Sequence, residues 1–84
     1  MSVEQLKKVL KEEKCTFGLD ETLKNIKRGK TSTVFLANDC KASMREKIHH
    51  YKKLGKLNII ELEINGHEIG ALSKKQFSIS VMSF

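Results

Sequence analysis

Apolar positions alternate between two spacings along this chain, and the switches mark out its elements. Leu6, Val9 and Leu10 share one helical face. They follow Ser2-Val3-Glu4-Gln5, which fits a capping box with Ser2 as cap, so a helix is predicted to about Glu13. Cys15, Thr16 and Phe17 form a short β-prone stretch ending at Gly18. A second helix is predicted from near Leu19 to Gly29, a good residue just beyond a helix end that already carries Lys27 and Arg28. Thr33-Val34-Phe35-Leu36-Ala37 reads as a strand buried on both sides.

Ser43-Met44-Arg45-Glu46 is a second capping box, and Met44, Ile48 and Tyr51 then line one helical face up to Gly55. Ile60-Glu61-Leu62-Glu63-Ile64 alternates with period two, as a strand with one dry face does. Asn65-Gly66 suits a hairpin turn, but HEIGALSKK after it favours a short helix, with Gly70 speaking against one. Phe77, Ile79 and Val81 alternate with Ser78 and Ser80, which predicts a last strand. The resulting order, α-β-α-β-α-β-α-β, indicates a layered α/β domain with a central sheet between helices.

Length and charge narrow the picture. Eighty-four residues suffice for one domain, residues 1–84, and a hydrophobic share of 39% supports a modest core. No run of 18 apolar residues occurs, and the charged, amphipathic start does not read as a signal peptide, so a cytosolic or nuclear protein is expected, with no membrane partner. The formal net charge is +6, shared equally between the halves on either side of Ala42. Either a polyanion partner or plain solubility accounts for that excess. Cys15 and Cys40 read as reduced core thiols. With His49, His50 and His67 they show no zinc-ligand spacing, so no metal or other cofactor is expected. His49 and His50 read as surface residues, His50 half-buried.

The stretch FGLDETLKNIKRGK sets two carboxylates inside a basic segment. On a wheel of ~100° per residue, Asp20, Lys24, Arg28 and Glu21 fall within about 100° of one another, with Leu19, Leu23 and Ile26 opposite. One reading is structural: acids in the first turn favour the helix dipole, and ion pairs to Lys24 are worth ~0.5 kcal/mol each. The other is recognition. A carboxylate accepts two hydrogen bonds from the N–H donors of guanine, while cations a turn later hold phosphates. Gly18 permits close backbone approach at the helix mouth.

Gly18-Leu19-Asp20-Glu21-Thr22-Leu23-Lys24 followed by Arg28-Gly29-Lys30 resembles the G-x-N-E-x-x-K and R-x-G-K segments of the kink-turn RNA-binding superfamily. TVFLANDCKASMREKIHHYKKLGK is similar to the strand–loop–helix of the large-subunit ribosomal protein 30e family, and GHEIGALSKKQFSIS to its glutamate-leucine-glycine segment and basic loop. The similarity runs from about Lys7 to Phe84. It implies a three-layer α/β/α sandwich around a mixed four-stranded sheet. It further implies a structural constituent of the large ribosomal subunit in the cytoplasm, binding a kinked rRNA helix with G·A pairs beside neighbouring ribosomal proteins. By the same resemblance, Gly18, Asp20, Glu21 and Lys24 form a first contact surface, Lys75, Phe77 and Ile79 a second, and Arg28 and Lys30 position the backbone.

Three departures bear on this expectation. Asp20 stands where many members have Asn, and a carboxylate cannot donate to a base acceptor. His50 replaces an expected tyrosine. The family usually continues beyond the last strand, so any role of that tail is expected to be missing. Phe77 fits either a core strand residue or a base-stacking platform. Adjacent Asp20 and Glu21 point apart, and there is no nucleophile–base set or phosphate-binding glycine loop. Neither an enzyme nor a small-molecule substrate is therefore expected. A free-standing kink-turn protein of a small RNP and a protein-interaction module of the same fold are the alternatives.

Overall fold

The computed structural model describes residues 2–12, 15–54 and 57–84, with backbone only at Ser2 and Leu54. Its elements are α1 (Ser2–Glu12), β1 (Thr16–Phe17), α2 (Leu19–Lys27), β2 (Thr33–Leu36), α3 (Ala42–Leu54), β3 (Asn58–Glu61), α4 (Gly66–Leu72) and β4 (Val81–Ser83). The expected cap at Ser2, the helix end at Glu13 and the stop at Gly55 lie outside the described residues or side chains.

The sheet order is β1-β4-β2-β3. β4 runs antiparallel to both β1 and β2, whereas β2 and β3 are parallel, so the sheet is mixed as expected. β2 explains the layering. Val34 and Leu36 face one side, with Ile48 of α3 and the inner residues Leu19, Leu23 and Ile26 of α2. Phe35 and Ala37 face the other, against Leu6 and Val9 of α1 and Ile69 of α4. Val34, Phe35, Leu36 and Ala37 are all fully buried. Burial at the larger three is worth roughly 1.5–3 kcal/mol each. Cys15 packs with the α1/α4 layer and Cys40 with the α2/α3 layer, so the sheet separates the two thiols.

Several boundaries differ from the sequence expectation. α3 begins at Ala42, and the N–H groups of Met44 and Arg45 bond the Lys41 carbonyl, which makes Lys41 rather than Ser43 the cap position. β3 covers Asn58–Glu61 rather than residues 60–64, because its length is set by the ladder to Thr33–Leu36. Asn65 makes no hairpin turn; its side chain caps α4 by accepting from the Glu68 N–H at 2.9 Å. His49 is the half-buried one of the two histidines, and His50 is exposed.

The last strand is the largest revision. Residues 77–80 precede β4 as a loop, and Ile79 and Val81, two apart, face opposite layers. The cause is α4. The Lys75 N–H bonds the Gly70 carbonyl at 2.8 Å and the Ile79 N–H bonds the Gly66 carbonyl at 2.9 Å. A Cβ at Gly70 would run into the Phe77 carbonyl oxygen, so this helix needs glycine there for the loop to lie across it.

Candidate nucleic-acid interface

The mouth of α2 is built on Gly18, whose φ of 97° and ψ of 156° suit glycine alone. Its N–H bonds the Val81 carbonyl at 2.8 Å, anchoring the mouth to the central strand β4. The first helical bond runs from the Thr22 N–H to the Gly18 carbonyl, so the N–H groups of Leu19, Asp20 and Glu21 come before it. No side chain caps them from Gly18, and Asp20 and Glu21 are exposed there. The side of Gly18 where a Cβ would stand is open space.

Glu21 and Lys24 form an ion pair at 3.6 Å, with both side chains about three-fifths exposed (62% and 60%). So exposed a pair contributes little to stability and leaves both groups free to exchange partners. Arg28 and Lys30 are exposed at the far end of the helix, roughly 10 Å along its axis from Glu21. There Gly29, at φ 71°, turns the chain, with its own N–H on the Ile26 carbonyl and that of Lys30 on the Asn25 carbonyl.

The second expected surface lies beside the first. The Lys75 ammonium sits over the ring of Phe17, 5.1 Å from its centroid, and Phe17 immediately precedes Gly18. Phe77 is 60% exposed and lies outside the strand, so of its two readings the structure removes the strand-core one. Ile79 does not join this surface. It is 3% exposed within the α1/α4 core, and its side chain holds the loop down instead of facing outward.

One contributor was not anticipated. Phe17 carries Lys75, and its place directly before the mouth glycine was the available signal. Lys74 adopts φ 60°, a left-handed conformation that non-glycine residues rarely take.

Fold and surface together define a small basic α/β/α domain in which an exposed helix mouth and a lysine-bearing loop form one rim. Comparison with known proteins agrees with that description. The model of the ribosomal protein L7Ae/L30e/S12e/Gadd45 family matches residues 2–84, and the chain belongs to this family. It is 34% identical over 79 residues to large ribosomal subunit protein eL30 of Saccharolobus solfataricus, covering 94% of this chain and 73% of that one. It is 30% identical to eL30 of Branchiostoma belcheri, over 94% of this chain and 69% of the relative. Among solved structures, a protein of unknown function from Bacillus halodurans superposes with a TM-score of 0.80 over 93% of this chain and 77% of its own. At 14% identity that likeness shows the fold alone.

Proposed function

We propose that residues 1–84 form one RNA-binding domain, a structural component of the large ribosomal subunit in the cytoplasm, which holds a kinked rRNA segment beside neighbouring ribosomal proteins. Asp20 and Glu21 accept from guanine N–H donors of G·A pairs, with Gly18 giving the bases room. Lys24, Arg28, Lys30 and Lys75 hold phosphates, and Phe77 stacks on a base. The relatives' names support the ribosomal assignment. The observation that carries the RNA reading is the Lys75–Phe17 contact, because it joins the loop to the α2 mouth in one rim. Ile79 acts behind this surface, not on it.

The test compares two RNAs of equal length, one kinked with G·A pairs and one plain duplex. Glu21→Ala is expected to weaken binding to the kinked RNA by about tenfold or more and to leave the duplex nearly unchanged. Lys30→Ala lowers affinity for both and reduces the salt slope by about one. Equal losses on both RNAs for Glu21→Ala would overturn base reading by this residue. Salt-resistant sedimentation with large subunits separates the ribosomal role from that of a free-standing RNP protein. Recovery of a protein partner without RNA would favour an interaction module.

A further inference from the structure

A pocket of about 340 Å³ lies between α1 and the end of α4, lined by Lys7, Leu10, Lys11, Leu72, Ser73 and Lys74. Three of its six residues are lysines and none is acidic. Among the described residues none of these lysines has an ion-pair partner; the two pairs found are Glu21–Lys24 and Arg45–Glu61. Cations at helix ends are favoured by the dipole, which accounts for Lys11 and for part of Lys74. It does not account for Lys7, one turn further into α1, nor for a lysine at φ 60° where glycine would be unstrained. The Ser73 hydroxyl is buried and has no hydrogen-bond partner among the described residues. A hydroxyl so placed is a donor awaiting an acceptor.

We propose that this pocket is a second phosphate site, taking the sugar–phosphate strand of an RNA helix after it leaves the α2 rim. Lys7, Lys11 and Lys74 neutralise a backbone phosphate, and Ser73 Oγ donates to one of its oxygens. Continuity favours nucleic acid over an acidic peptide: Lys74 adjoins Lys75, which already stands at the rim over Phe17. The assignment extends the RNA-binding reading, but it requires no recognition of G·A pairs. The leucines at the pocket wall offer apolar surface and select no base.

Plain RNA duplex of about 20 base pairs is therefore the probe. Lys7→Ala/Lys11→Ala keeps good helix formers in α1. It is expected to lower duplex affinity and to reduce the salt slope by about one to two. The amide resonances of Ser73 and Lys74 in the wild type should move on duplex addition. In the double variant they should stay, while the preference for kinked over plain RNA is retained. An unchanged salt slope with still Ser73 and Lys74 resonances would overturn the site, as would saturation of these resonances by an acidic peptide but not by duplex. Failure of the G·A reading shows separately, as a wild-type protein that does not prefer the kinked RNA.

Discussion

Thr22 Oγ1 and Ser83 Oγ lie 3.1 Å apart with both residues wholly buried, one on α2 and the other on β4. This polar pair sits where the α2 helix meets the centre of the sheet, next to the apolar contacts of Leu19, Leu23 and Ile26. It fixes how α2 is seated, and so where the mouth carrying Asp20 and Glu21 stands.

Removing one hydroxyl strands the other. Thr22→Val is expected to cost about 1–3 kcal/mol in urea unfolding, the penalty of a buried hydroxyl without a partner. Thr22→Val/Ser83→Ala should cost less than the sum of the two single changes, because no orphan remains. Full additivity in that cycle would show that the pair is not coupled.

Gly70 tests the loop on α4. A Cβ there must displace the Phe77 carbonyl, so Gly70→Ala should destabilise by about 1–3 kcal/mol despite alanine's better helix propensity. Amide exchange at Lys75 and Ile79, which bond the Gly70 and Gly66 carbonyls, should accelerate. A neutral or stabilising Gly70→Ala would mean that the loop is not held in this way.

Lys74→Gly should act in the opposite sense. It relieves the φ of 60° and is expected to raise stability by up to ~1 kcal/mol, with weaker binding to RNA of any sequence. Thermal unfolding and a duplex titration on the same variant measure both effects.

Burial pushes the Cys40 thiol above its ordinary 9.0, partly opposed by Arg45 and reinforced by Asp39 and Glu61. The folded state therefore favours the protonated thiol. This contribution is complete below pH 9.0 and is lost as pH rises from there through the folded value. Cys40→Ala should show a shallower alkaline loss of stability than the parent protein. Parallel pH profiles would argue against a buried, protonated thiol.

How legible the molecule was depended on whether one element or two decided the outcome. β2 and α2 were readable because their own residues settle them: an unbroken apolar run, and an amphipathic helix closed by Gly29. β3 and β4 were not, because their ends depend on partners. The period-two pattern over residues 60–64 extends past the ladder that Thr33–Leu36 can offer. The alternation of Phe77, Ile79 and Val81 is overridden by α4, whose glycines capture the backbone before it can extend. At the candidate site, the α2 residues lie where the helix wheel put them. Ile79 was misplaced because the resemblance carried it to the outer surface, whereas its backbone bond to Gly66 of α4 seats its side chain in the α1/α4 core. Thr22 was missed although the wheel sets it at about 200°, on the border of the apolar arc.

β4 follows every other element in the chain, yet it occupies an inner place in the sheet and pairs with both β1 and β2. A growing polypeptide therefore cannot complete its sheet until residues 81–83 have cleared the exit tunnel. Gly18 is tied to Val81, so the α2 mouth is also unfinished until then.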